Sequence, residues 1–439
     1  MSRLRDEQSK SPPAGLREAL LDPWVLGLVA LGLGLRVAYG FAHHMPSDVG
    51  DQIQYLNIGH NFTGWWSSAD ASRTPGYPLA LAIHFDLRLG ENAVRVTQAI
   101  LVSAACLLMA GLATRVGGRG AGRFAALASS AYPPLIMLPS LILSDALAAA
   151  LLAGAVFALA EGWRQPAWPR WLGAASALLA ATVLVRPSLA ICFPVLLVAA
   201  GVRLWRRPSI RFACVTAVAV LGPTLVLFAP WVARNESVAH TAAPLSTADS
   251  SALFAAGVHL PIDKTSGRLG SYLRAGHYFG LPNPGHPGLQ VAAARRAHPW
   301  SILLANVRHR PLDQLDAAAF WQRELWLVAF DDHSLYGRPA LIPYIPALVF
   351  HLTLLGLALV GLLLARLDAT IRIVAATVAA TALPYLVILP EPRYAVPAMV
   401  LLMVPAAVAG SLALRAVVRR IPGRSSLAPR PSGPGVPTG

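Results

Sequence analysis

The sequence predicts an all-α polytopic membrane protein of about ten transmembrane helices, with an outer-side first loop carrying interfacial helices and one larger outer loop region. Three observations carry that reading. Of 439 residues, 55% are hydrophobic and only 13% are charged, against roughly 25% charged in a soluble chain, so there is too little polar surface to cover a water-facing protein. The mean hydropathy of +0.54 likewise excludes a solvated, disordered chain. Finally, the Lys and Arg residues fall in small groups between long apolar runs, as membrane topology requires.

A spanning helix needs about 20 mostly apolar residues, because in lipid every backbone polar group must be satisfied within the segment. Ten segments qualify: Trp24–Phe41, Val96–Thr114, Phe124–Leu138, Asp145–Ala160, Trp171–Val185, Leu189–Gly201, Phe212–Val232, Ala340–Ala365, Ile373–Leu389 and Tyr394–Leu414. The third to sixth are short and punctuated by proline. The first is expected to be an uncleaved helix rather than a signal peptide, since Arg36 interrupts its apolar run and a long polar stretch precedes it.

Placing the N-terminus in the cytoplasm and alternating sides collects more than half of the 36 Lys and Arg residues on the inner side. They include Arg3, Arg5, Lys10 and Arg17; Arg115, Arg119 and Arg123; Arg164 and Arg170; Arg203, Arg206, Arg207 and Arg211; Arg366 and Arg372; and Arg415, Arg419 and Arg420. The positive-inside rule therefore puts both termini in the cytoplasm of a plasma (inner) membrane protein. The chain divides into a cytoplasmic segment (1–23), a transmembrane module (24–233) that includes the first outer loop (43–95), an extracytoplasmic loop region (234–338), C-terminal helices (339–420) and a Pro/Gly/Ser-rich tail (421–439) expected to be disordered. Within the second outer region, Leu312–Phe330 has helical apolar spacing and is expected on the membrane surface.

The net charge of +15 does not point to nucleic acid, because no concentrated basic stripe interleaved with aromatics is present. Cys106, Cys192 and Cys214 lie inside apolar runs, where no disulfide framework or metal spacing can be built from them. In the outer segments, His43 and His44 near Asp48, or Asp331-Asp332-His333, could bind a divalent ion, but neither spacing is a metal signature. No metal ligand or cofactor is assigned.

Ionisable residues at membrane depth are costly and hence functional candidates. With this topology they gather on the outer side: Arg36 in the first span; Asp48, Asp51 and Arg73 in the first outer loop; Arg95 opening the second span; and Asp145, Arg186, Arg234, Glu391 and Arg393 at later span ends. Singly, an Arg at a helix end reads as a snorkelling anchor and Asp145 as a helix cap. Their shared face is what matters, since outer arginines run against the positive-inside bias and guanidinium forks suit phosphate. If Ser47–Phe62 is helical, Asp48, Asp51 and Tyr55 share one face, and an acid held there can serve as a general base.

In order along the chain, Asp51-Gln52-Ile53-Gln54-Tyr55-Leu56, Arg73-Thr74-Pro75-Gly76-Tyr77-Pro78, Leu143-Ser144-Asp145-Ala146-Leu147, Leu184-Val185-Arg186-Pro187, Pro230-Trp231-Val232-Ala233-Arg234-Asn235 and Arg393-Tyr394-Ala395-Val396-Pro397 resemble the motifs of bacterial GT-C glycosyltransferases of the dolichyl-phosphate-mannose–protein mannosyltransferase and aminoarabinose-transferase type. The resemblance spans roughly residues 30–400 and implies a GT-C-like enzyme that moves a sugar from a polyprenyl-phosphate donor to an extracytoplasmic acceptor within the bilayer's outer boundary. It maps the family's first-loop acid to Asp51 and its second acid to Asp145. Asp48, three residues before Asp51, departs from the adjacent acidic pair of the mannosyltransferases. On this reading Asp51, Asp145 and Asp48 are the catalytic candidates. Arg73, Arg186, Arg234 and Arg393 would clamp the donor phosphate, with Arg36 and Arg95 as further candidates, and Tyr55, Tyr77 and Tyr394 would support the site. A transporter or flippase of lipid-linked sugars is the rival reading. It would place its ionisable groups near the midplane of internally repeated helices, and no pseudo-repeat is visible. A catalytically silent assembly protein is the other.

Overall fold

The computed structural model describes residues 15–43, 50–71, 73–165, 167–240, 344–386 and 392–420, together with single positions between 308 and 327. Every regular element among the described residues is helical. A short α1 (Gly15–Leu20) leads into the first crossing, α2 (Pro23–Ala42). Asp22 caps α2, its carboxylate accepting from the Trp24 backbone N–H at 3.0 Å, and Pro23 occupies a first-turn position where its missing N–H costs nothing. The segment between the first two crossings holds α3 (Gly50–His60), α4 (Phe62–Trp66) and α5 (Gly76–Asp86). Next come α6 (Gly90–Gly117), α7 (Arg119–Ala131) and α8 (Pro133–Met137), the last running into a 3₁₀ turn at Leu138–Ser140. After them α9 (Asp145–Gly162) and α10 (Trp168–Val185) form an antiparallel pair, and a 3₁₀ turn at Pro187–Cys192 continues into α11 (Phe193–Arg206). The remaining helices are α12 (Ile210–Ala239), α13 (Tyr344–Leu364), α14 (Ala369–Ala382) and α15 (Val396–Arg420).

Nine helical segments among the described residues are long and apolar enough to cross a membrane, and the protein is a multi-pass membrane protein. The expected tenth, Phe124–Leu138, is not one continuous helix. Pro133 and Pro134 cannot donate to a helical ladder, and a residue preceding proline is driven out of the helical region. Tyr132 accordingly adopts extended backbone angles (φ −72°, ψ 113°), and α7 ends at Ala131. The broken segment still runs from one end of the bundle to the other. At its start Arg415 donates to the Gly117 carbonyl at 3.1 Å, while at its finish the Ser140 carbonyl faces Nε of Arg95, near the opposite end of α6.

Side chains meet the polar groups exposed by that break. Arg36 of α2, fully buried, donates to the carbonyls of Ser129 (2.7 Å) and Leu135 (3.1 Å) and to the hydroxyl of Ser103 (3.2 Å). Tyr132 donates its hydroxyl to Nδ1 of His351 on α13, and Nε2 of that ring donates to the Trp326 carbonyl at 2.7 Å. Of the expected surface helix at 312–330, Leu312 and Leu315 are exposed but Leu325 is buried, so its described end lies against the bundle.

The core of the bundle is α15. In its most apolar window 94% of residues are buried, against 11% for α12, which faces outward with Val218, Leu221, Leu225 and Val226 exposed. Among lipid tails the hydrophobic effect does not drive helices together, so contact relies on close van der Waals packing and small residues. A Cβ at Gly361 of α13 would lie 1.8 Å from the Pro405 carbonyl oxygen of α15, so the two backbones touch where only hydrogen fits.

Candidate active site

The site grows from one helix face in the segment between the first two crossings. Asp51 and Tyr55 are four residues apart on α3 and so project together. Gln52 points elsewhere: its side-chain carbonyl accepts from the Ile142 N–H at 2.8 Å, fixing α3 to the turn that precedes α9. Leu56 is buried and Ile53 is partly exposed.

Arg73 reaches this face from the start of the next turn. Its Nη2 donates to Oδ1 of Asp51 at 2.6 Å and to the Gln54 side-chain oxygen at 2.7 Å, while its guanidinium lies 5.1 Å from the Tyr55 ring centroid. The following helix carries Gly76, where a Cβ would lie 2.8 Å from the carbonyl carbon and oxygen of Leu184. That close approach brings the Arg73 turn against the end of α10, two residues before Arg186. Tyr77 is buried there, edge-on to Tyr55 at 4.9 Å, and donates its hydroxyl to Gln98 at 3.3 Å.

From the opposite side come the last crossing and the α9–α10 mouth. Arg393 donates to Oδ2 of Asp51 at 3.3 Å, so the carboxylate sits between two guanidinium groups. Its neighbour Tyr394 receives Arg186 over its ring at 4.3 Å and stacks on Tyr385 at 5.5 Å. Arg186 forms an ion pair with Asp145, the buried first residue of α9, where a negative charge also suits the helix dipole. Ser144 then meets the Tyr55 hydroxyl at 3.4 Å. Asp51, Arg393, Tyr394, Arg186, Asp145, Ser144, Tyr55 and Arg73 thus form a closed circuit of contacts and chain neighbours at one end of the bundle.

The two acids differ in access. Asp145 is almost wholly covered, whereas the Asp51 side chain is 36% exposed. Burial pushes the Asp51 carboxyl up, but the Arg73 and Arg393 charges and their hydrogen bonds outweigh it and leave the group below its ordinary value. Asp51 is therefore an anion at neutral pH, matched to two cations.

Eight expected residues are brought together in this way: Asp51, Asp145, Arg73, Arg186, Arg393, Tyr55, Tyr77 and Tyr394. Three are held elsewhere. Arg36 staples the broken crossing, as described above. Arg95 donates to Glu91 and Asn92, each at 2.9 Å. Arg234 donates to the carbonyls of Trp65, Trp66, Ser68 and Asp70 and lies against the rings of Trp65, Trp66 and Trp231, which makes it an anchor for the segment between the first two crossings. Asp48 and Glu391, and the His44 and Asp331-Asp332-His333 candidates, lie outside the described residues. His43 stacks on Tyr39. Among the described residues no group of three His, Cys, Asp or Glu side chains is placed to hold a metal ion. Gln54, Ser144, Gln98 and Tyr385 join the site without having been singled out. Gln54 and Ser144 sit inside the quoted motifs, and nothing local marks the other two.

No known family profile matches the chain, and no curated protein resembles it in sequence. Solved structures do resemble it. The apo oligosaccharyltransferase from Archaeoglobus fulgidus superposes at a TM-score of 0.51 with 12% identity, over 90% of this chain and 52% of that one. This chain therefore spans about half the length of that protein. ArnT from Cupriavidus metallidurans, bound to undecaprenyl phosphate, matches at 17% identity over 90% of this chain and 78% of that one, with a TM-score of 0.40, a superposition too loose to argue from. At such identities likeness means fold alone, and the membrane-helix fold shared with the oligosaccharyltransferase is of the kind the motifs led us to expect.

Proposed function

We propose that the chain is a membrane glycosyltransferase that moves a sugar from a polyprenyl-phosphate donor to an acceptor at the extracytoplasmic boundary. The observation that carries this reading is the Asp51 carboxylate held between Arg73 and Arg393 beside the Asp145–Arg186 pair. Two carboxylates against three guanidinium forks at one end of an apolar bundle leave an excess of positive charge that suits a phosphate whose tail lies in lipid. The GT-C fold agrees with it. A transporter of lipid-linked sugars is less well supported, because Arg36, the fully buried arginine of the first crossing, is held by the protein's own acceptors.

In this mechanism the acceptor oxygen attacks the anomeric carbon from the face opposite the leaving group. The bond from that carbon to the phosphate oxygen breaks and its electron pair goes to the phosphate, so the product is inverted. Asp51 takes the acceptor's proton once Arg73 and Arg393 turn from its carboxylate to the donor phosphate, which restores its basicity. Arg73, Arg393 and Arg186 stabilise the polyprenyl phosphate as its charge develops; preorganised positive charge of that sort is commonly the largest catalytic contribution. Asp145 keeps Arg186 in place. Where the acceptor oxygen belongs to a phosphate, no proton need be taken, and Asp51 then orients the arginines. The region 234–338 is the proposed reader of the acceptor.

The test is transfer from a polyprenyl-phosphate sugar in membranes carrying Asp51→Asn. The expected result is loss of about 100-fold or more in turnover. Full turnover in the variant would remove Asp51 from the chemistry, and absence of transfer by the unaltered chain would remove the transferase reading.

A further inference from the structure

The other end of the same helices carries a second polar cluster that sugar transfer does not use. Trp163 follows the last residue of α9 and Trp168 opens α10, about 27 Å along an 18-residue helix from Asp145. Between them sits Arg203 from the last turn of α11. Its guanidinium lies 5.2 Å from each of the two ring centroids, and it donates to the Trp163 carbonyl. Arg206 lies 5.8 Å from the Trp163 ring, and Arg206, Arg207 and Arg211 are exposed.

Three acids of this end are already matched. Glu161 pairs with Arg115, Asp368 with Arg164 and Asp22 with Arg123. Among the described residues no carboxylate meets Arg203, Arg206, Arg207 or Arg211. Moreover, two donors in the cluster, Nε of Arg203 and the indole N–H of Trp168, are buried without an acceptor among the described residues. A buried donor left unmatched is costly, and two of them in a cluster of unneutralised cations call for an anionic acceptor. The surrounding surface is one that enters a bilayer: Trp205 is 88% exposed and Ile210 is 82% exposed, and tryptophan favours the headgroup level.

We propose that Arg203, Arg206, Arg207 and Trp168 form a binding site for the phosphate of an anionic membrane lipid, at the end of the bundle opposite Asp51. Arg203 and Trp168 supply the buried donors, Arg206 and Arg207 add charge, and Trp205 and Ile210 rest among the acyl chains. The site does not depend on the transferase reading.

The test is native mass spectrometry of the purified full chain with dioleoylphosphatidylglycerol, dioleoylphosphatidylcholine or inorganic phosphate. The expected result is one phosphatidylglycerol retained at concentrations about tenfold below those needed for phosphatidylcholine. Arg206→Gln with Arg207→Gln should weaken retention roughly tenfold, and Trp168→Phe, which keeps a ring but lacks the N–H, severalfold. Arg366→Gln, a charge in another inner loop, should change nothing. Equal retention of the two lipids, or an equal loss from Arg366→Gln, would overturn the site in favour of diffuse surface charge. Displacement of the lipid by equimolar inorganic phosphate would assign a free anion instead and overturn the lipid. Should the double variant fail to fold, Trp168→Phe alone decides.

Discussion

Asp51 and Arg393 lie 342 positions apart in the chain, yet Nη2 of the arginine donates to the carboxylate at 3.3 Å. With Arg73 on the other oxygen at 2.6 Å, this one acid joins the segment between the first two crossings to the last crossing. A donor phosphate entering the site would meet the same two guanidinium groups that Asp51 holds. The carboxylate and the arginines should therefore behave as one unit. Asp51→Asn and Arg393→Gln are each expected to lower transfer by about 100-fold, and the double variant by much less than the product, because residues in contact are not additive. Rates for the four proteins of the cycle check this. A fully multiplicative loss would mean that the two act separately.

The charge state of Asp51 gives a pH signature. Its pKa lies below the ordinary aspartate value of 3.8, with Arg73 and Arg393 outweighing burial. A depressed folded-state value means that the stabilisation is fully present above 3.8 and is lost as pH falls through the lower folded value. Turnover limited by Asp51 should thus be flat from pH 5 to 7, with its acid limb below 3.8. Arg73→Gln removes one of the two charges and should move that limb upward, by an amount that salt reduces because the side chain is partly exposed. The profile of kcat/KM against pH, which follows the groups of the free enzyme, is the measurement in wild type and variant. An acid limb near 6 in the wild type would exclude Asp51 as its source.

The apolar runs were legible because crossing lipid imposes length and composition on a segment whatever its neighbours. Nine of the ten expected spans have counterparts among the long helices, and the remaining one, Phe124–Leu138, runs through the bundle as a helix broken at Tyr132-Pro133-Pro134, which an apolar count does not register. The acids and Arg73, Arg186 and Arg393 were legible as positions at one face. What the sequence withholds is where each guanidinium points. Arg234 and Arg186 both end an apolar run, yet one meets four backbone carbonyls and three indoles while the other meets Asp145 and Tyr394. That difference is decided by how α4 folds back on α12, a tertiary fact with no local signal. Gln98 and Tyr385 were invisible for the same reason.

Arg234 consequently should act on stability rather than on donor binding. Arg234→Ala would leave the Trp65, Trp66, Ser68 and Asp70 carbonyls without this donor and cost about 2–5 kcal/mol. A lower melting temperature in detergent, with the KM for the lipid donor unchanged in the protein that remains folded, is the expected pair of results. A raised KM at unchanged melting temperature would return Arg234 to the phosphate clamp.

Gly76 offers the sharpest separation of geometry from chemistry, since it carries no functional group. Its α-carbon faces the Leu184 backbone so closely that a methyl group would lie 2.8 Å from both the carbonyl carbon and oxygen, and 2.8 Å from a Val185 methyl. Backbone cannot rotate away as a long side chain can, so Gly76→Ala must push the start of α5 off the end of α10. Arg73 is three residues before that contact and Arg186 two residues after it, so the displacement falls between the two halves of the phosphate cradle. A shift of about 1 Å in a positioning element can cost on the order of 100-fold in rate. The overpacking itself costs about 1–3 kcal/mol, which a packed bundle of this size can absorb while staying folded. Gly76→Ala should therefore lower transfer far more than it lowers the melting temperature. Gly27→Ala, on α2 where an added methyl meets nothing within 4 Å, should leave both unchanged. If Gly76→Ala retained full turnover, the spacing of Arg73 from Arg186 would not matter to the reaction, and a single phosphate held by both would no longer be tenable.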